Sequence, residues 1–112
     1  MPNIKAPYGA ADQFALIATG ATALTVLNSR SVIDGATIPL TGAATVNLTL
    51  DSRLDVGAKI YLKAAFTGIT TLTFGTGFTA PLLTGVTGKT FVAAFYYDGT
   101  NFLPTAAPYQ IN

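Results

Sequence analysis

Histidine, cysteine, glutamate and tryptophan are all missing from this chain of 112 residues. Without cysteine there are no disulfides and no thiol chemistry, although that absence does not fix a compartment, since many exported proteins lack cysteine too. Without histidine or cysteine, no Ser or Thr has its customary base or thiol partner for nucleophilic catalysis. Paired-carboxylate hydrolysis would have to gather two of only five aspartates in one cleft, and nothing in their spacing asks for it. We therefore assign no catalytic residue, no metal and no cofactor. The chain reads as a structural or binding part and not an enzyme.

Charge is equally scarce. Lys5, Arg30, Arg53, Lys59, Lys63 and Lys89 oppose Asp12, Asp34, Asp51, Asp55 and Asp98, for a formal net charge of +1. That balance gives almost no long-range steering toward a polyanion, so neither nucleic acid nor a membrane surface is expected as a partner. No apolar run of about 18 residues occurs, which argues against a transmembrane helix. Phe14 to Ala23 is mostly apolar, but Lys5 alone makes a poor basic lead and Pro7 precedes it. That stretch reads as mature chain and not as a signal peptide.

Charged residues make up 10% of the chain, against roughly 25% for an ordinary soluble domain. Eighteen threonines must therefore carry much of the polar surface. Threonine suits strands through its β-branch and offers a hydroxyl to water or to a neighbouring chain. Depleted charge also fits a surface buried between subunits, so a homo-oligomer is expected over a free monomer.

What is present is alternation. From Thr45 to Tyr97 apolar residues alternate with Thr, Lys or Asp, and Gly or Asp-Gly interrupts the pattern every several residues. This predicts an all-β protein, a small β-sandwich for which a jelly roll is one possible form. Residues 1–13, with Pro2, Pro7 and Gly9, read as an extended N-terminal arm: a plain tail in a monomer, and in an assembly an arm that lies on a neighbour through Ile4 and Tyr8. Residues 14–104 read as a single β-sandwich domain, and 105–112 as an extended tail. Strands are expected at 14–18, 23–28, 45–50, 59–64, 69–74 and 90–97. The Asp34-Gly35 pair reads as a two-residue turn between segments 30–34 and 37–40. Asp98-Gly99 reads as a second turn, bringing Tyr97 near Phe102.

Candidate sites each have a plainer structural account. Asp51, Ser52 and Asp55 carry oxygens that a hard cation would take, but Asp at a turn ordinarily caps its own backbone. Asp98, Thr100 and Asn101 beside Tyr96, Tyr97 and Phe102 fit a sugar site or a packed turn. Gly75-Thr76-Gly77 and the segment 85–90 share fragments of a phosphate loop without its full spacing or its helix. Lys59 and Lys63 flank Tyr61 on one strand face and read as solvated edge lysines that discourage unwanted pairing. Asn47-Leu48-Thr49 matches a glycosylation acceptor yet lies within an expected strand.

The Thr/Ala/Gly-rich body, the stretch Thr45 to Leu50 leading to Gly57-Ala58-Lys59-Ile60, and the segment Phe95 to Phe102 together resemble small virion proteins of bacteriophages. That class includes capsid decoration proteins and spike or head-fibre modules, in which a Trp often stands in place of Phe102. The resemblance implies a symmetric assembly in the virion, with a trimer favoured, bound to a capsid protein and needing no cofactor. No long repetitive shaft is present, so a decoration protein or spike base fits better than a true fibre. Val92, Tyr96 and Phe102 join Ile4 and Tyr8 as interface candidates. The alternative is a glycan-binding or host-surface adhesion module using Tyr96, Tyr97, Asp98 and Asn101.

Overall fold

A computed structural model describes residues 12–112, and among these there is no helix. The strands are β1 (Asp12–Ala15), β2 (Gly20–Val26), β3 (Arg30–Leu40), β4 (Ala44–Leu50), β5 (Lys59–Phe66), β6 (Thr71–Phe74), β7 (Leu83–Thr84), β8 (Thr90–Tyr97), β9 (Phe102–Pro104) and β10 (Tyr109–Gln110). They form a six-stranded sheet in the order β1-β3-β5-β8-β10, with β9 also on β8, and a four-stranded sheet in the order β2-β4-β6-β7. The two sheets face each other across one core, the expected all-β sandwich.

Odd-numbered strands in the first half of the chain lie in one sheet and even-numbered strands in the other. The pairs β1/β3, β3/β5, β2/β4 and β4/β6 are all parallel. The chain therefore winds as three stacked rungs, β1-β2, β3-β4 and β5-β6, each rung laying one strand on each sheet. This is solenoid winding, and a jelly roll, built from antiparallel Greek keys, does not describe it. Antiparallel strands then close the last rung, with β8 on β5, β7 on β6, and β9 and β10 on β8.

A short repeat marks the corner of each rung: Thr19-Gly20, Thr41-Gly42 and Thr67-Gly68. The Thr41 amide donates to the Ala18 carbonyl at 2.9 Å and the Thr67 amide to the Leu40 carbonyl at 3.0 Å. The ladder thus continues around the bend, and the backbone groups that a bare corner would strand are paired. Gly20, with φ of +93°, adopts there a left-handed conformation that L side chains rarely take.

Alternation sets the core. Ile33, Ile60, Leu62, Ala64 and Phe95 from the larger sheet meet Val26, Val46, Leu48, Leu72 and Phe74 from the smaller one, all buried. Phe78, Phe95 and Phe74 stack at ring-centroid distances of 5.0–5.1 Å, geometry that aromatic quadrupoles favour. Ser31 lies among these apolar residues with no exposure, and its hydroxyl has no hydrogen-bond partner among the described residues.

Several boundaries differ from expectation. Asp34-Gly35 makes no hairpin. Arg30–Leu40 is one strand, and its ladder to β5 runs through Asp34↔Lys63 and Gly35↔Ala64 before a register shift ahead of Leu40↔Phe66. Asp34 still caps locally, accepting from the Ala36 and Thr37 amides at 2.7 and 3.0 Å, so a local turn habit is absorbed as a bulge. Asp12 and Gln13, assigned to the arm, belong to β1 and pair with Ser31 and Val32. Ile4 and Tyr8 lie outside the described residues. The last residues are extended and tied down: Tyr109 and Gln110 pair with Val92 and Phe91, and the Asn112 side chain accepts from the Thr90 amide at 2.8 Å.

Candidate functional site

The outer face of the larger sheet is the strongest candidate surface. Register places Gln13, Val32, Tyr61 and Ala94 in one row across β1, β3, β5 and β8. A second row runs through Asp34, Lys63, Val92 and Tyr109, and a third through Arg30, Lys59, Tyr96 and Leu103. An apolar middle is thus bracketed by Lys59 and Lys63. Tyr61 and Tyr109 are exposed, at 43% and 65%, and Tyr96 stands at 38%.

The segment after β9 runs along the β8 edge of this face and ends in β10. Thr105 is anchored through its amide and hydroxyl, both donating to the Ala94 carbonyl at 3.0 and 3.3 Å. Together with Ala106, Ala107 and Tyr109 it walls an open groove of about 470 Å³, floored by Val32, Tyr61, Val92 and Ala94. The outer apolar face of β8 is thus flanked along its edge by the chain's own C-terminal residues, while Tyr61 and Tyr96 stay open.

The smaller sheet presents a different outer surface. Ala21, Thr45 and Thr73 fall in one row, Ala23 and Asn47 in the next, and Thr25 and Thr49 in a third. Uncharged hydroxyls cover this face, which is where many of the abundant threonines go. Asn47 is not idle there: its side-chain oxygen accepts from the Thr76 amide at 2.9 Å and fixes the turn after β6.

The interface candidates separate. Val92 and Tyr96 share the outer face of β8, four residues apart on one strand with Ala94 between them. Phe102 does not join them. It is fully buried, opposite Tyr97 in the β8/β9 ladder and against Phe78, so it belongs to the core and offers nothing to a partner. Lys59 and Lys63 are exposed as expected, but β5 is central, with β3 and β8 on its two sides, so they do not guard an edge.

Among the remaining polar candidates, the Asp51 and Asp98 carboxylates cap their own turns. Asp51 accepts from the Arg53 amide at 2.8 Å and from its guanidinium at 3.0 Å on each oxygen. The Arg53 guanidinium and amide hold the Asp51 carboxyl down to about 2. Asp98 accepts from the Thr100 and Asn101 amides at 2.8 and 2.9 Å, and these bonds lower its pKa. The Asn101 amide donates to the Thr79 hydroxyl at 2.9 Å, and the Tyr97 hydroxyl to the Gly99 carbonyl at 3.0 Å. Among the described residues no three His, Cys, Asp or Glu side chains gather as a metal site. The Gly-Lys-Thr at 88–90 leads into β8, a strand, and the Lys89 ammonium donates to the Asn112 carbonyl at 3.2 Å.

Sequence reading did not find the groove, because its wall comes from residues 105–109, read as a tail. The cue was the clustering of small and apolar residues after Pro104, Thr-Ala-Ala-Pro-Tyr, a composition able to lie flat on a sheet. Comparison with protein-family models, curated proteins and solved structures finds no match.

Proposed function

We propose that this chain is a structural virion protein that self-associates and decorates or stabilises a bacteriophage capsid. The observation that carries the proposal is the outer face of the larger sheet, where Tyr61, Val92, Ala94 and Tyr96 form an apolar surface bordered on one side by residues 105–109. Exposed aromatics beside an apolar groove are typical of interface cores, while the bracketing Lys59 and Lys63 supply a polar rim. The virion setting comes from the resemblance of the Thr-rich body and of the segment 95–102.

The mechanism is mechanical. Area buried at subunit junctions favours the assembled state by mass action, and needs neither cofactor nor chemistry. A trimer is the stoichiometry we favour, with Val92 and Tyr96 at the junction and a capsid protein as the further partner. The glycan-binding alternative has less support, since the groups it needs on Tyr97, Asp98 and Asn101 are already engaged within the turn.

The test is the double substitution Tyr61→Ala/Tyr96→Ala. Both side chains are exposed, so the fold should survive while the oligomer mass in solution falls. An unchanged oligomer would refute this face as the junction.

A further inference from the structure

We infer that the open edge of β2 is a second association site, at which two copies pair their β2 strands antiparallel about a twofold axis. The inference rests on the reading of this chain as a self-associating subunit, and adds a contact distinct from the outer face. Among the described residues β2 pairs only with β4, and β1 only with β3. The first rung therefore presents, on its outer side, backbone donors and acceptors with no ladder partner among the described residues. The last rung, by contrast, is closed by antiparallel strands.

Edges left open in soluble proteins are normally shielded by charge, proline, a bulge or shortness. β2 has none of these. It is seven residues long, reads GATALTV, and runs against β4 in unbroken register from Gly20↔Ala44 to Val26↔Leu50. The bends at its two ends expose Ile17 at 49% and Leu27 at 52%, adding apolar area to the same end of the molecule. The acid in β1, Asp12, accepts from the Asn28 amide at 2.7 Å, and β2 itself has no charge to repel its twin.

The shape of the two ends decides the occupant. Head-to-tail stacking would set β2 against β7 or β10, which are two residues each, and most of its groups would stay unpaired. A second copy's β2 matches it in length and chemistry, and such an isologous contact closes as a dimer without growing into a fibre. The rung from Asp12 to Leu27 offers roughly 16 residues a side, just under the ~20–30 of a standard interface. A pairing that dissociates on dilution follows from that size.

Two measurements on the 112-residue chain test the inference. Amide hydrogen exchange over residues 20–26 should slow by about tenfold or more as concentration rises through the association range. Ala23→Lys/Thr25→Lys places charge on two exposed, outward positions of β2. It should remove that concentration dependence and halve the mass of the largest species, with the circular dichroism unchanged. Tyr61→Ala/Tyr96→Ala should leave the β2 protection intact, which separates failure of this inference from failure of the outer-face junction. Protection that is the same at every concentration would place another segment of the same chain on the edge and overturn the inference. An unchanged mass in Ala23→Lys/Thr25→Lys would overturn it as well.

Discussion

The rings of Tyr97 and Phe102 lie 5.3 Å apart between centroids, across the residue pair that closes the β8/β9 hairpin. Phe102 is at zero exposure at that point, so it works inside the fold. Phe102→Ala should cost about 3–5 kcal/mol through lost burial and the cavity left behind. Chemical denaturation checks this, and the loss should appear equally at dilutions where the protein is dissociated. Tyr96→Ala, on the opposite face of the hairpin, should change stability by less than about 1 kcal/mol and act on association.

Ser31 gives a prediction of opposite sign. Its hydroxyl is buried without a partner among the described residues, and an unsatisfied buried polar group costs about 1–3 kcal/mol. Ser31→Ala should leave stability unchanged or raise it, seen as an equal or higher melting temperature. A clear loss would show that the hydroxyl is bonded.

Gly85 is fixed by space. A Cβ there would sit 2.2 Å from the Phe66 ring, inside the core, and a fully buried ring has little room to yield. Gly85→Ala should destabilise by roughly 1–3 kcal/mol, the usual cost of overpacking, whereas Gly68→Ala, at a corner with open space around it, should be far milder. Denaturation midpoints of the two variants make the comparison.

Acid sensitivity follows from the lowered carboxyls. The Thr37 hydroxyl with the Ala36 and Thr37 amides lowers Asp34, Arg53 lowers Asp51, and the Asn101 and Thr100 amides lower Asp98. A carboxyl depressed in the folded state stabilises above its unfolded pKa of about 4 and loses that contribution as pH falls through its folded value. Stability should therefore decline from about pH 4 downward, reaching toward the value of about 2 for Asp51. Between about pH 5 and 8 it should be flat, because the chain has no histidine to titrate there. Melting temperature against pH reads both regions.

The individual strands were legible because side chains alternate with a period of two; β5 and β8 begin where the periodicity predicts and β4 one residue earlier. Winding was not legible from that pattern, since alternation says which face a residue takes and nothing of which strand lies alongside. Thr-Gly marks the rung corners at 19, 41 and 67, but the same pair recurs at 76, 84 and 87 outside those corners, so it does not by itself reveal the winding. Asp34-Gly35 shows a strong local turn signal overruled by a long-range ladder, with the Asp cap kept as a bulge. Val92 and Tyr96 were correctly placed on one face of β8. Phe102 was misplaced because the Asp98-Gly99 turn returns it to the inner face, a consequence of hairpin register that composition does not reveal.

The central claim, a subunit built to self-associate, is tested most directly by the solution mass from light scattering coupled to size exclusion over a concentration series. The account predicts a mass above the 11.5 kDa of one chain, rising with concentration toward a trimer or a larger closed assembly. A mass of 11.5 kDa at every concentration would contradict it.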